Sequence, residues 1–211
     1  MELWFVRHGT TSGNLERRFQ GQMDLPLSSQ GRREAGLLAR RLSSAGLEII
    51  YSSDLQRAWE TATIIGRAVG LDPVATPLLR ECSWGALEGL TVAEAEELYP
   101  ELMRRYRSAS LRAGFFGGER ERKLLARART LLNRLAGQNH RFRRVLLVGH
   151  ARQINACFAA ALGWGSRQQW PFAPAPASLS ILRYYPARRR FRLELFNDRC
   201  HLADNFTLGE N

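Results

Sequence analysis

The chain has 211 residues, with 31 Lys+Arg against 20 Asp+Glu, a formal net charge of +11 and 45% hydrophobic residues. That is the balance of an ordinary globular protein, which excludes disorder, collagen and coiled coil, and no apolar run approaches the ~18 residues of a transmembrane helix. At this length a fold buries roughly 70% of the surface its unfolded chain exposes, so one domain with a sizeable core is expected without staples.

Leu3–Val6 is a short continuous apolar run ended by Arg7-His8-Gly9, which suits a strand buried on both faces. Residues 9–31, rich in Gly, Ser, Thr and Asn, read as a long loop, and loops of that length in a compact domain are usually functional. Gly31–Ala45 carries a helical stripe at 35, 38, 39 and 42, and Glu48–Tyr51 reads as a second strand. Ser53 with Gln56 three residues later has the pattern of a capping box. The helix it opens has the stripe Leu55, Ala58, Trp59, Ala62, Ile65 and Val69, and Gly70 and Pro73 stop it. After a loop through Pro77, Thr91-Val92-Ala93-Glu94 is another capping box, and it begins a small helical cap expected over residues 91–120. Glu119–Ala136 is a long Arg-rich helix. Val145–Val148 is a second continuous apolar run, ended by Gly149-His150, and Ile154–Leu162 is a helix after it. Residues 163–177 form a Pro-, Gly- and Trp-rich loop, and Leu179–Tyr184 with Phe191–Phe196 alternates as a terminal hairpin across a basic turn. Strands alternating with helices predict an α/β fold, a three-layer α/β/α sandwich whose mostly parallel sheet ends in an antiparallel hairpin.

The charge is unevenly placed. Residues 1–100 carry 10 Arg and 13 Asp/Glu, net −3, whereas residues 101–211 carry 21 Lys+Arg and 7 Asp/Glu, net +14. Such asymmetry prompts a nucleic acid or an anionic membrane as partner. Aromatics are not interleaved with the arginines as base-stacking platforms require, so solvated helix faces and turns account for the excess. Cys82, Cys157 and Cys200 are odd in number and widely spaced, which argues against a disulfide framework or a thiolate zinc site. No basic n-region precedes the first strand, so a cytoplasmic protein is expected.

His8 and His150 directly follow the two most strongly buried-looking strands, each beside a glycine. In open parallel sheets, ligands collect beyond the carboxyl ends of the strands. Arg7 precedes His8, and Arg57 lies in the first turn of the helix after Ser53, where a cation opposes the helix dipole by ~0.3–1 kcal/mol unless an anion is bound there. Arginine forks grip phosphate in bidentate fashion, so two forks and two imidazoles in one crevice suggest phosphoryl chemistry. Metal catalysis is the competing use of histidine. The chain has no H-E-x-x-H, no ligand-spaced Asp/His cluster and no P-loop pattern, so neither a metal nor another cofactor is expected.

These motifs resemble the histidine phosphatase superfamily, the phosphoglycerate mutase-like proteins. The resemblance runs through Arg7-His8-Gly9-Thr10, Asn14, Phe19-Gln20-Gly21, Asp24-x-Pro26-Leu27-Ser28, Ser53-Asp54-Leu55-Gln56-Arg57-Ala58, Leu79-Arg80-Glu81, Gly85 to Thr91, Val148-Gly149-His150, and Asn197-Asp198 with His201-Leu202. It implies a covalent mechanism with His8 as nucleophile, Arg7, Arg57 and His150 around the phosphoryl group, and Glu81 as proton donor. Thr11, Asn14, Gln20 and Gly21 match positions that bind phosphate or line the pocket, and Glu88 matches a structural position. Thr10, Arg120 and Ala151-Arg152 depart from the pattern near the entrance, and Arg152 is expected to contact a second negative group on the substrate. Mutases of the family read Arg-x-Tyr-Gly after the acid, whereas this chain reads Cys82-Ser83-Trp84-Gly85, so water is the expected acceptor. The expected activity is hydrolysis of small phosphate esters similar to those of broad-specificity and α-ribazole phosphatases, by a monomer or homodimer. Mutase-type transfer and a basic nucleic-acid-binding domain are the alternatives, with steep salt dependence the mark of the latter.

Overall fold

The computed structural model describes residues 1–107, 113–165 and 171–203. Residues 108–112 of the expected cap and 166–170 of the expected loop lie outside the described residues. The chain opens with β1 (Glu2–Arg7), a one-turn α1 (Ser12–Leu15), α2 (Ser29–Leu42), β2 (Ile49–Ser52), α3 (Gln56–Val69) and β3 (Pro73–Ala75). It continues with α4 (Val92–Leu98), α5 (Pro100–Arg107), α6 (Glu121–Gly137), β4 (Arg144–Gly149), α7 (Ala151–Ala161), β5 (Leu179–Tyr185) and β6 (Arg190–Asp198). No helix among the described residues is long and apolar enough to cross a membrane.

The six strands form one sheet in the order β3-β2-β4-β1-β5-β6. β1, β2, β3 and β4 pair in parallel, and β5 and β6 are antiparallel to their neighbours. The fold is therefore the expected α/β arrangement with an antiparallel pair near the C-terminus. The two continuous apolar runs became the adjacent central strands β1 and β4, because only a strand covered on both faces can be apolar at every position. Leu3, Phe5, Val145 and Leu147 pack under α6 and α7, while Val6, Leu146 and Val148 pack under α2 and α3. Each such fully buried side chain contributes about 1.5–3 kcal/mol of transfer free energy. A third cluster, built on Leu87, Ala95, Met103 and Phe116, holds α4 and α5 against two loops, one carrying Phe19 and the other Trp84.

Several local expectations shift. β3 was not visible in the sequence, and the 9–31 segment contains α1 and the start of α2. α7 begins at Ala151, three residues before the expected start. Trp59 stays exposed beside its buried stripe-mates. Gly70 ends α3 in the left-handed region at φ 73°, as a C-terminal glycine is expected to do, and the Thr91–Glu94 capping box forms at α4.

Candidate active site

The parallel register places Arg7 opposite Gly149, so the residues that follow the two central strands emerge side by side. The His8 N–H donates to Gly149 O at 3.0 Å, and the His8 and His150 rings lie 5.0 Å apart between centroids. Both imidazoles are buried, at 3% and 0% exposure. His150 is also the N-cap residue of α7.

The hydrogen bonds of His8 fix its tautomer. Nδ1 lies 2.7 Å from Gly9 O, and a carbonyl only accepts, so Nδ1 carries the proton and Nε2 the lone pair. The Arg57 Nε–H donates to that Nε2 at 3.3 Å. Arg57 is itself locked, donating to Met23 O at 2.6 Å and Gly21 O at 2.7 Å, and is 1% exposed. Gly21 sits at φ 51°, where a Cβ would strike the Glu88 carboxylate, so the carbonyl that holds Arg57 requires glycine. Arg7 donates from Nη1 to Pro174 O at 2.8 Å. Its buried Nε, like His150 Nδ1, has no hydrogen-bond partner among the described residues. His150 Nε2 lies 2.9 Å from Ser53 Oγ.

Burial first, and then the Arg57 and Arg7 guanidinium groups, hold the His8 imidazole well below its ordinary range. Burial, Arg57 and His8 do the same to His150. The unfolded chain takes up these two protons near pH 6.5, while the folded chain resists them. The associated stability is fully present above about pH 6.5 and falls on acidification by up to about 1.4 kcal/mol per pH unit for each histidine. Urea midpoints measured from pH 7.5 down to 5 are expected to drop steeply, and His8→Gln is expected to remove about half of that slope. A midpoint that stays flat to pH 5 would mean that both rings charge within the fold.

Glu81 lies 8% exposed at the start of α7. Its Oε1 accepts from the N–H of Cys82 at 2.8 Å and of Gln153 at 3.1 Å, and its Oε2 accepts from the N–H of Arg152 at 3.2 Å. Its charge acts on both Arg7 and Arg57. Arg127 braces the segment from behind, donating to Arg80 O at 2.6 Å and to Leu78 O at 3.1 Å while paired with Glu119 at 2.7 Å. Glu88 is spent on the Gln22 and Trp84 N–H groups and the Ser83 hydroxyl, which fits a structural role.

The structure thus brings Arg7, His8, Arg57, Glu81, His150 and Gly21 together. Thr11, Asn14 and Gln20 form their own cluster: the Thr11 hydroxyl caps α1 and lies 2.8 Å from Gln20 Oε1. That cluster shapes the loop ending at Gly21. Arg152 follows His150 by two residues, but its guanidinium pairs with Glu121 at 3.1 Å and lies over the Trp84 ring. Thr10 does not line the entrance as expected. It is buried, and Glu34 accepts both its N–H and its hydroxyl, at 2.8 and 2.9 Å. Glu34, Gln22 and Arg127 escaped the sequence reading, and Ser53 entered it only as a helix cap and as part of the family motif. Only Glu34 left a signal there, an acid beside the apolar stripe of α2.

Among the described residues no three His, Cys, Asp or Glu side chains converge as a metal-binding group. The family model of the histidine phosphatase superfamily (branch 1) matches residues 3–199. The chain belongs to the histidine phosphatase superfamily. Phosphoserine phosphatase 1 of Hydrogenobacter thermophilus is 33% identical over 204 residues, 97% of this chain and 95% of that one. Phosphoglycerate mutase-like protein 4 of Arabidopsis thaliana is 39% identical over 163 residues, 76% of this chain and 70% of that one. A mycobacterial glucosyl-3-phosphoglycerate phosphatase solved with VO3 superposes with a TM-score of 0.81 at 31% identity, covering 93% of this chain and 98% of that one. Among its superfamily relatives, then, this chain has named phosphatases that it matches over almost their whole length.

Proposed function

We propose that the chain is a phosphomonoesterase that works through a phosphohistidine on His8, with water as the acceptor. The observation that carries this reading is the state of His8: proton on Nδ1, lone pair on Nε2, and a ring kept neutral between two guanidinium groups. A neutral imidazole is a competent nucleophile near pH 7. Arg7, Arg57 and His150 would surround the phosphoryl oxygens and take up the charge spread over them in transit. A buried polar atom left unpaired costs about 1–3 kcal/mol, and phosphoryl oxygens would satisfy Arg7 Nε and, with its proton on Nδ1, His150. The VO3 bound by the mycobacterial relative is an oxyanion of the same kind.

In the first step the bond from His8 Nε2 to phosphorus forms as the ester P–O bond breaks, and protonated Glu81 passes its proton to the leaving alkoxide. In the second, ionised Glu81 takes a proton from water, whose oxygen attacks phosphorus; the N–P bond breaks and inorganic phosphate leaves. Thr11, Asn14, Gln20 and Gly21 hold the phosphate loop, Arg152 borders the leaving group, and no metal ion or other cofactor takes part. The same reading makes the chain one catalytic domain with the helices of residues 91–120 as a cap, acting on small phosphate esters in the cytoplasm rather than on nucleic acid.

The test is turnover of p-nitrophenyl phosphate in the presence of EDTA, with acid- and base-stability of the enzyme-bound label followed after quenching a radiolabelled ester. Label on His8 that is lost in acid and kept in base, with release of inorganic phosphate, is the expected result. Turnover that EDTA abolishes, or that leaves no such label, would overturn the mechanism.

A further inference from the structure

Glu34 on α2 is 7% exposed, and no ion pair among the described residues includes it. Acids are rarely buried so deeply without a cationic partner. Three donors face its two oxygens instead. Thr10 N–H donates to Oε2 at 2.8 Å, and the Thr10 hydroxyl and the Gln30 amide donate to Oε1 at 2.9 and 2.8 Å. That is the surrounding of an ionised carboxylate. Its charge opposes the effect of burial on the Arg7 guanidinium, second to Glu81.

The bond to Thr10 N–H gains its meaning from the other end of the same peptide group. Thr10 N and Gly9 O belong to one amide, and Gly9 O accepts the Nδ1 proton of His8 at 2.7 Å. An unbroken hydrogen-bonded line therefore runs from the Glu34 carboxylate, through the Gly9–Thr10 amide, to the imidazole. The groups flanking that amide are pinned. Gly9 N–H donates to the Thr61 hydroxyl at 3.2 Å, and Thr10 O accepts from both the N–H and the hydroxyl of Ser28 at 2.9 Å. An amide aligned with an anion is polarised, and successive hydrogen bonds strengthen one another. Its oxygen becomes a better acceptor for the N–H of a ring that gains positive charge.

We propose that Glu34 is a positioning residue for the nucleophile, and that its charge, carried through the Gly9–Thr10 amide, stabilises the imidazolium formed when His8 bonds to phosphorus. The proposal rests on the phosphohistidine reading above. As the N–P bond forms and the ester P–O bond breaks, Nε2 gives its lone pair to phosphorus and the ring becomes cationic. Nδ1 keeps its proton throughout, and no proton passes along the line. The Arg7 and Arg57 guanidinium groups oppose the new charge, and Glu34 offsets them from the Nδ1 side. A carboxylate bonded directly to an imidazole stabilises its cation in the same way.

Glutamine at position 34 separates charge from shape. Its oxygen can accept from Thr10 N–H and its nitrogen can donate to the Thr10 hydroxyl, with the Gln30 amide turned over. The experiment follows formation and hydrolysis of the phosphoenzyme separately, by rapid quench of single turnovers of p-nitrophenyl phosphate, in the wild type, Glu34→Gln and Glu34→Ala. Formation is expected to slow on the order of 30-fold in Glu34→Gln, the scale of one charge acting across a buried site. Substrate affinity should stay within about twofold, as when an interaction made only in the transition state is lost. Hydrolysis should not slow, because a less stabilised imidazolium is the better leaving group. Wild-type formation in Glu34→Gln with only Glu34→Ala impaired would mean that Glu34 merely holds the loop, and it overturns the proposal. Equal slowing of both steps, or a loss confined to affinity, does the same. If Glu34→Gln does not fold, Glu34→Asp keeps the charge and must form phosphoenzyme about tenfold faster than Glu34→Ala; equal rates count against the coupling. If the wild type forms no phosphoenzyme, the phosphohistidine reading fails, and ¹⁵N and proton NMR of the histidines judges the coupling alone. His8 must then carry its proton on Nδ1, and that proton must move upfield in Glu34→Gln. A proton on Nε2, or an unmoved signal, sinks it.

Discussion

Replacing His8 by alanine is expected to leave a folded protein whose turnover of aryl phosphate is lower by about 10⁴-fold or more, the scale on which loss of a covalent nucleophile is felt. The exchange removes a buried ring that makes few bonds, one from Nδ1 to Gly9 O and one accepted from Arg57 at Nε2. It leaves the anchors of Arg57 on Met23 and Gly21 in place. The loss should therefore appear in kcat with phosphate affinity largely kept, and labelled ester should leave nothing on the variant. Stability at pH 5 should move the other way, because the variant no longer carries a ring that the fold holds neutral. Calorimetric binding of inorganic phosphate alongside single-turnover kinetics separates these effects. Turnover within tenfold of wild type would reassign the nucleophile, with His150 the nearest imidazole.

Arg57→Met carries a double penalty. The guanidinium donates to two backbone carbonyls and to His8, and it is 1% exposed, so its removal strands acceptors in a dry site. At about 1–3 kcal/mol for each stranded acceptor, a loss of about 3–5 kcal/mol is expected. For a chain of this length that lowers Tm by about 10 °C. Turnover should fall by a further factor of about 10²–10³, as expected when a preorganised donor to developing charge is lost. Arg57→Lys keeps the charge but cannot reach three acceptors in three directions, so it should recover less than a tenth of the lost activity. Thermal melts and kcat/KM measured on the same preparations check both. A methionine variant that melts with the wild type and turns over within twofold of it would remove Arg57 from both roles.

The parts of the fold legible in the sequence are those dictated by burial on both faces. β1 and β4 announce themselves as unbroken apolar runs because nothing else can be apolar at every position, and the same runs locate His8 and His150. β3 was invisible because it has three residues, begins with Pro73 and sits exposed at the sheet edge, where neither alternation nor a run can develop. The Ser53 pattern was correct as chemistry and wrong as structure. Its hydroxyl serves Leu55 N–H and His150, α3 starts at Gln56 behind an extended Leu55, and the Gln56 N–H is capped from across the fold by Asp24 at 2.6 Å. A cap supplied from 32 positions away leaves no local trace. The same holds for Arg127 and Gln22, which support Glu81 through backbone carbonyls that no side-chain pattern reports.

The adjacency of β1 and β4 also governs when this chain can become active. Arg7 and Gly149 lie in register although 142 positions separate them, with β2, β3 and the six helices α1 to α6 in between. Parallel pairing at such separation is slow, because the entropy of closing the loop is spent before any contact repays it. During synthesis the amino-terminal residues Arg7 and His8 must wait, without their shelter, until β4 has been made. A phosphate-binding crevice is thus among the last features this polypeptide acquires, and the nascent chain should neither bind nor process an ester before about three-quarters of it has emerged.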